Sequence, residues 1–333
     1  MMTRREMMAA LPALITAPRW LAQVNNAPIR TKGINHVSLK VSDVKRSVDF
    51  YQGLFGMPVM NREGNAVASL QIGSGPQHLG ISAAGSDMTK IDHICLGVPD
   101  FNLEHIVGVL TQRGFTKSDE VGPMKVRLNS PKDAAPQLFF YDADTIAIQL
   151  QDPRYCGGSG PLGNMCRTPE ASPKKGLMAL KGWSHCTIFG SDAARSNKFY
   201  QDLFGWKIQG YQAPAGSTTS PFLSAGNGVE FLMFGGGGAG RSPGINHVCA
   251  TMENFNPEKV IKNLESYGIK PRGNAQGTPG PLVHYISLRM ENRGGSKEGT
   301  PELYFTDPDG LLIQLQDTKY CGGSGALGEV CPS

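Results

Sequence analysis

The sequence predicts an α+β fold made of four βαβββ modules, paired one with two and three with four. The first observation is a stretch that occurs twice, because residues 146–160 and 311–325 match closely at an offset of 165. The second is a helix sequence that also occurs twice, at residues 42–56 and 191–205. The third is that each expected module opens on an alternating apolar and polar strand. Duplicated segments of this kind indicate a repeated structural unit.

The first module can be followed along the chain. Residues 34–41 alternate between apolar and polar side chains, which is typical of a half-buried strand. Ser42 and Asp43 offer a helix N-cap, apolar residues follow at helical spacing, and Gly56 can end the helix. Three short strand-like runs complete the module at residues 57–60, 67–72 and 78–82.

The same order returns three more times. The second module opens on a strand at residues 91–98, and apolar residues at helical spacing follow at 103–110. Its remaining strands are expected near residues 125–128, 137–141 and 145–150. Strands at 182–189 and 244–252 open the third and fourth modules.

We expect two domains of two modules each, because the modules repeat as pairs. The predicted domains, with the polar linker between them, are 33–166, 167–181 and 182–331. The formal net charge is +4, and Lys and Arg are scattered without a long basic run. This pattern argues against a nucleic-acid-binding surface.

Residues 1–27 have the features of a twin-arginine export signal. Arg4 and Arg5 precede a short apolar run at residues 7–17. That run is too short to span a bilayer, and no other stretch is apolar enough to do so. The alternative is an N-terminal tail with a chance Arg pair. We expect a periplasmic or secreted protein with no membrane attachment after signal removal.

Four of the seven cysteines form two equally spaced pairs. Each pair brackets a glycine-rich loop, and we expect the disulfides Cys156–Cys166 and Cys321–Cys331. Structural disulfides persist in oxidising compartments such as the periplasm, which agrees with export. Zinc binding is the alternative, but two cysteines ten apart without a nearby histidine match no common zinc spacing. The other three lie in apolar runs and are expected in the core: Cys95, Cys186 and Cys249.

The residues most suggestive of chemistry are matched histidines on the four first strands, His36, His93, His185 and His247. A single such histidine is more often a core residue than a ligand, but four at matched positions are hard to ascribe to packing. Neutral histidine is the commonest metal ligand near physiological pH. Glu230 lies among apolar residues, where a metal would offset the cost of burying its charge, and His78 is the comparable residue of module one.

Residues 33–152 and 181–317 resemble the vicinal oxygen chelate superfamily, which includes glyoxalase I, type I extradiol dioxygenases, and the bleomycin and fosfomycin resistance proteins. The resemblance rests on the paired modules, the first-strand histidines, F-Y-Q-x-L-F-G after the helix, and T-D-P-D-G-L-L-I-Q-L at residues 306–315. It implies that two modules close into a cup-shaped mixed sheet around one divalent metal. The family's motif places a glutamate four positions after its glycine, where this chain has Gln314 after Gly310.

The resemblance also implies the metal ligands. In the second domain the set would be His185, Glu230, His247 and Gln314. In the first domain a second candidate set would be His36, His78, His93 and Gln149. A neutral glutamine is a weaker donor than a carboxylate, although some glyoxalases use one. Tyr304 corresponds to an active-site tyrosine of extradiol enzymes, with a core aromatic as the alternative, and His284 is a candidate second-sphere acid or base.

The resemblance implies a metal-dependent enzyme that binds a small substrate through vicinal oxygens. The four-module chain favours an extradiol-type dioxygenase with Fe(II), while Mn, Zn and Ni are the other candidate metals. The ligand types favour a glyoxalase-like lyase or isomerase, in which Glu230 would be the base. A third class is a non-catalytic drug-binding protein with an aromatic-lined cup and no metal. One or two metals per chain and a homo-oligomer remain open at this point.

Overall fold

A computed structural model of the chain describes residues 27–130, 135–226, 228–236 and 242–331. Residues 1–26, which hold nearly all of the expected export signal, lie outside the described residues. The described residues form two mixed β-sheets of nine strands each, with four α-helices and one short 3₁₀ helix. None of these helices is long and apolar enough to cross a membrane. The predicted α+β class is confirmed.

The two halves have the same order of elements. The first half consists of β1 Ile34–Val41, α1 Val44–Phe55, β2 Val59–Glu63, β3 Val67–Gln71, β4 His78–Ala83, β5 Lys90–Gly97, α2 Leu103–Gln112, β6 Thr116–Lys117, β7 Lys125–Asn129, β8 Gln137–Tyr141 and β9 Ala147–Gln151. The second half consists of β10 Gly182–Gly190, α3 Ala193–Phe204, β11 Ile208–Tyr211, β12 Pro221–Ser224, β13 Phe231–Gly236, β14 Gly244–Met252, α4 Pro257–Ser266, β15 Lys270–Pro271, β16 Val283–Arg289, the 3₁₀ turn Glu291–Arg293, β17 Thr300–Thr306 and β18 Leu312–Asp317.

The sheets share one topology. The first has the strand order β2-β3-β4-β1-β5-β9-β8-β7-β6, and the second β11-β12-β13-β10-β14-β18-β17-β16-β15. The opening strands of paired modules therefore lie side by side at the centre, where β1 runs antiparallel to β5 and β10 antiparallel to β14. Each is flanked by the last strand of its own module in parallel. This arrangement brings the first-strand histidines together.

Helices α1 and α3 begin and end as their repeated sequence predicts. Asp43 and Asp192 occupy the N-caps, and each side chain accepts a backbone N–H three residues later. Gly56 and Gly205 end the two helices in the left-handed conformation, each at φ 66°. That conformation favours glycine, which explains why both copies carry it.

The turn before the last strand differs between the halves. Gly310 adopts φ 79° before β18, and the corresponding Thr145 adopts φ 63° before β9. A β-branched residue rarely occupies this left-handed region because its side chain crowds the backbone. The surrounding contacts hold the turn, since the side chain of Asp142 accepts hydrogen bonds from the backbone of Asp144 and Ile146.

The two halves are joined by a reciprocal clasp, formed by two tyrosine–aspartate pairs and two arginine–aspartate pairs. The Tyr51 hydroxyl donates to Asp307 at 3.2 Å, and the Tyr200 hydroxyl donates to Asp142 at 3.1 Å. The two arginine pairs are Arg46 with Asp309 at 2.6 Å and Arg195 with Asp144 at 2.8 Å. One hydrophobic core runs through both halves. The predicted linker also packs on module one, because the Leu177 N–H donates to the Leu54 carbonyl.

Both expected disulfides are present. Cys156 bonds to Cys166 and Cys321 to Cys331, with Cα–Cα distances of 6.0 and 6.2 Å. The other three cysteines are buried and unpaired, as expected of core residues.

Candidate active site

The concave face of the first sheet, called the first cup, collects the predicted residues of the first half. Strands β4, β1, β5 and β9 lie next to one another and carry His78, His36, His93 and Gln149 respectively. The Nε2 atom of His36 lies 3.1 Å from the Gln149 Oε1 atom and 3.4 Å from the His93 Nε2 atom. The rings of His36 and His78 stack at 4.3 Å between centroids. All four side chains therefore meet in one place.

The corresponding face of the second sheet, called the second cup, collects three of its four predicted ligands. The Nε2 atom of His185 lies 3.1 Å from the Gln314 Oε1 atom. The rings of His185 and His247 meet edge to face at 5.5 Å. The fourth position is occupied by Phe231, which pairs with His185 across β10 and β13 and stacks on its ring at 4.4 Å.

Glu230, predicted as a ligand, does not reach the second cup. Its carboxylate accepts the Ile34 N–H at 2.5 Å and the Gln77 amide at 3.0 Å, both in the first half. Burial raises the pKa of Glu230 to about 7. The prediction was wrong by one residue, because His78 corresponds to Phe231, and neighbours along a strand face opposite sides.

The cup histidines are oriented through their Nδ1 atoms. Four of them have a side-chain oxygen of the preceding residue within 3.1 Å of Nδ1, namely Asn35 for His36, Asp92 for His93, Ser184 for His185 and Asn246 for His247. An acceptor at Nδ1 holds the proton there and leaves the Nε2 lone pair free for a metal. Burial lowers the pKa of His78 and His247 to about 4, so both are neutral at neutral pH.

Two polar atoms of the second cup are buried without a partner among the described residues. They are the Nε2 atom of His247 and the Nε2 atom of Gln314. The Oε1 atom of Gln314 meanwhile faces the His185 Nε2 atom, which is also an acceptor when Nδ1 holds the proton. The acceptor atoms of His185, His247 and Gln314 therefore point into the same space. A bound cation fits this arrangement, since without it these buried atoms lose a hydrogen bond that water would have given them.

The donor set is three histidines and one glutamine in the first cup, and two histidines and one glutamine in the second. No group of three or more His, Cys, Asp or Glu side chains within the described ranges is arranged to hold a metal by itself. The amide oxygens of Gln149 and Gln314 therefore complete each set. Imidazole-rich sets suit Fe, Ni, Cu and Zn, and neutral donors leave the charge of the metal uncompensated.

Tyr304 lies where the sequence places it, in the second cup. Its ring meets the His247 ring edge to face at 5.3 Å and stacks on Tyr285 at 5.0 Å. Burial raises its pKa far above the ordinary value, so the hydroxyl stays protonated. Phe139 occupies the corresponding place against His93 in the first cup and has no hydroxyl.

His284, predicted as an acid or base, does not line the second cup. It precedes Tyr285 on β16, and adjacent strand residues face opposite sides of a sheet. Tyr285 faces the cup, whereas the His284 Nε2 atom lies 3.4 Å from Glu265 on helix α4. The prediction of a second-sphere role was wrong for this reason.

Sequence reasoning missed the tyrosine that precedes the first cysteine in each repeated stretch. Tyr155 lies 5.9 Å from His36, and Tyr320 lies 5.6 Å from His185, between ring centroids. The signal was in the sequence, because the Tyr-Cys pair occurs in both copies. The disulfide loops therefore deliver one aromatic wall to each cup.

A buried ion pair beneath Tyr320 was also missed. Arg289 is fully buried, and its Nε atom lies 3.0 Å from Glu302, which accepts the Tyr320 hydroxyl at 3.4 Å. Arg289 also donates to the carbonyls of Gly322 and Gly323 in the disulfide loop. Burial raises the pKa of Glu302, whereas Arg289 opposes the shift. This network fixes the loop and the tyrosine together.

Comparison with known proteins agrees with this fold. The model of the Glyoxalase/Bleomycin resistance protein/Dioxygenase superfamily matches residues 33–142 and 182–315. No curated protein matches the chain.

Similar solved structures include glyoxalases and dioxygenases. The Mn(II)-bound glyoxalase from Novosphingobium aromaticivorans is 16% identical, with a TM-score of 0.58 over 86% of this chain and 82% of that one. The 2,3-dioxygenase LapB from Pseudomonas sp. KL28 is 16% identical, with a TM-score of 0.59 over 92% and 96%. Homoprotocatechuate 2,3-dioxygenase from Brevibacterium fuscum is 16% identical, with a TM-score of 0.60 over 87% and 82%. At these identities the likeness concerns the fold, and the family match then shows that the chain belongs to the Glyoxalase/Bleomycin resistance protein/Dioxygenase superfamily.

Proposed function

We propose that the protein is a metal-dependent enzyme of extradiol-dioxygenase type, and that the second cup is its active site. The substrate is a small aromatic molecule with vicinal oxygens. The observation that carries the proposal is the buried, unpartnered Nε2 atom of His247 beside His185 and Gln314. Similar solved structures named as 2,3-dioxygenases support the reaction type.

The walls of the second cup suit an aromatic ring. They include the side chains of Phe189, Phe231, Tyr285, Tyr304 and Tyr320 around a cavity of about 250 Å³. Aromatic walls favour flat ligands through offset and edge-to-face contacts. The volume lies just below the usual range of small-molecule sites, so a single-ring ligand would fill most of it and displace water from the polar groups of its walls.

The residues have separate roles in this proposal. His185, His247 and Gln314 would hold the metal, for which we favour Fe(II), with Mn, Zn or Ni as alternatives. A divalent metal, when bound, supplies Lewis-acid stabilisation of negative charge on the substrate oxygens. Tyr304 remains protonated and donates its single hydroxyl proton to Glu302 at 3.5 Å, which orients the ring and leaves the phenolic oxygen free to accept a hydrogen bond from a substrate hydroxyl.

A glyoxalase-like reaction in the first cup is the second candidate. One observation favours it, because His36, His78, His93 and Gln149 offer four donors from four neighbouring strands. The displacement of Glu230 from the second cup removes the base that a glyoxalase-like mechanism would need there. The second cup therefore supports the dioxygenase better.

The test combines metal analysis with oxygen uptake. Protein purified without a His tag is reconstituted with Fe(II), and oxygen consumption is followed with catechol and 3,4-dihydroxyphenylacetate. We expect His247→Ala to lose metal and to reduce the rate by more than the roughly 10–100-fold that loss of an outer-shell partner costs. His105→Ala removes an exposed histidine outside both cups and is the matched control, with unchanged activity.

His93→Ala distinguishes the two cups. If it abolishes turnover while His247→Ala does not, the active site is the first cup and the proposal is wrong. If neither the wild-type protein nor the variants take up metal, the catalytic hypothesis fails. The second cup would then be a small-molecule binding site.

A further inference from the structure

A second cavity adjoins the first cup, and its lysine and arginine side chains have no cationic equivalents at the corresponding positions of the second half. This side pocket, with a volume of about 570 Å³, is lined by Lys40, Lys90, Arg127 and Tyr141, and it shares His93 and Phe139 with the first cup. Its volume lies within the range of small-molecule sites. The shared wall makes the two cavities neighbours on one concave face.

The charges of the side pocket do not cancel. Lys40 pairs with Asp87 at 2.5 Å, and Lys90 pairs with Asp92 at 3.2 Å. Arg127 is the third cation, and among the described residues it forms no ion pair. Its guanidinium lies over the Phe139 ring, 5.8 Å from the centroid. One positive charge is therefore left over for a ligand.

The hydroxyl of Tyr141 adds a neutral donor to this cation. Burial raises the pKa of Tyr141, although the neighbouring Arg127 lowers it. The hydroxyl therefore stays protonated at neutral pH and can donate to an anion. A planar guanidinium beside a hydroxyl donor suits carboxylate and phosphate oxygens, which arginine binds through two parallel hydrogen bonds.

The second half shows that the fold itself does not require these charges. Strand registers place Phe189 of the second cup where the first half has Lys40, and Tyr285 where it has Arg127. The core side of both sheets is apolar in both halves. At these two positions the halves thus carry cationic side chains in one and aromatic side chains in the other, which points to different ligands rather than different packing.

We propose that the side pocket and the first cup together bind a small molecule bearing an oxyanion, a carboxylate or a phosphate monoester. The oxyanion lies at Arg127, and the rest of the molecule extends past His93 into the first cup. This binding site is separate from the second cup and does not depend on the function proposed there.

Isothermal titration of the full chain at low ionic strength tests the proposal with benzoate, phenyl phosphate, inorganic phosphate and the neutral benzamide. We expect saturable binding of benzoate or phenyl phosphate and none of benzamide. Arg127→Gln should weaken that binding at least tenfold, and Arg127→Lys should restore part of it. Arg62→Gln, an exposed arginine paired with Glu170 outside the pocket, is the matched control and should bind as the wild-type protein does.

Each result decides the proposal. Binding that is equal in Arg127→Gln, or equal for benzoate and benzamide, overturns it, provided that the variant melts like the wild-type protein. Binding of inorganic phosphate alone overturns the extension of the ligand into the first cup. Benzoate without phenyl phosphate identifies a carboxylate ligand, and the reverse identifies a phosphate ester. Because binding is measured without turnover, failure of the dioxygenase proposal leaves this result unaffected.

Discussion

Gln77 and Glu230 are corresponding residues of the two halves, and they meet where the halves join. Gln77 precedes His78 on entry to β4, and Glu230 precedes Phe231 on entry to β13. Gln77 donates one amide hydrogen bond to Glu230 and another to the Ile34 carbonyl. Glu230 also accepts the Ile34 N–H, so one carboxylate ties β1 to the second half.

The carboxylate of Glu230 should make stability depend on pH. Burial raises its folded pKa from 4.5 to about 7, so the folded protein binds more protons than the unfolded chain between those values. The contribution of Glu230 to the unfolding free energy is therefore present below about pH 4.5 and is lost as the pH rises towards 7. We expect the melting temperature of the wild-type protein minus that of Glu230→Gln to decrease as the pH rises from about 5 to about 8.

Thermal melts of both proteins across that range measure the effect. Glu253→Gln alters a largely exposed carboxylate and is the control, with a curve parallel to that of the wild-type protein. If the melting temperature of Glu230→Gln followed pH in parallel with that of the wild-type protein, the Glu230 carboxylate would make no pH-dependent contribution to stability.

At the scale of elements, the repeated stretch works as one unit of strand, loop and disulfide. The strand β18 brings Gln314 to the second cup, and the loop that follows brings Tyr320. Arg289 holds the loop through two carbonyls, and Cys321–Cys331 closes it. The same unit closes the first cup with Tyr155. We propose that these disulfides form after export, in an oxidising compartment.

Removing either disulfide should destabilise the protein. Each bond closes a loop of ten residues, which corresponds to about 2–3 kcal/mol in the chain-entropy model. Denaturant unfolding of Cys156→Ser/Cys166→Ser and of Cys321→Ser/Cys331→Ser measures this loss. Only the second pair should also weaken ligand binding in the second cup, because that loop carries Tyr320. An unchanged unfolding free energy in both variants would exclude the structural role.

For the whole molecule, the reciprocal clasp couples the two halves symmetrically. Tyr51 of module one reaches Asp307 of module four, and Tyr200 of module three reaches Asp142 of module two. The same helices send Arg46 and Arg195 to the neighbouring aspartates of those turns. The repeated F-Y-Q-x-L-F-G motif therefore serves the interface between the halves.

Loss of either tyrosine hydroxyl should weaken this interface. Tyr51→Phe and Tyr200→Phe each remove one hydrogen bond from a buried carboxylate, at a cost of about 1–3 kcal/mol. The two contacts share no partner, so the double variant should lose about the sum of the two effects. Urea unfolding measures the losses, with Tyr211→Phe as the control outside the clasp. If Tyr51→Phe and Tyr200→Phe each had the same unfolding free energy as Tyr211→Phe, the hydroxyls would have no such role.

The candidate site was predictable to the extent that its signals are local or repeated. The matched histidines and the glutamines follow from strand position, and seven of the eight predicted ligands line a cup: His36, His78, His93, Gln149, His185, His247 and Gln314. The prediction for Glu230 was wrong because Phe231, one residue further along, is the equivalent of His78, and a shift of one residue reverses the face. The prediction for His284 was wrong because only the pairing of β16 within the sheet shows which of its side chains face the second cup.

The sequence alone determined the order of the main elements, the duplication and the disulfide pairs, because caps, alternation and repeat spacing depend on neighbours along the chain. Only the tertiary structure decided that Phe231 closes one cup where His78 completes the other. It also decided that Arg127 has no carboxylate partner among the described residues, and that each half clasps the last turn of the other. These contacts join residues far apart in the chain, and strand register and side-chain direction, which set them, are properties of the folded sheet.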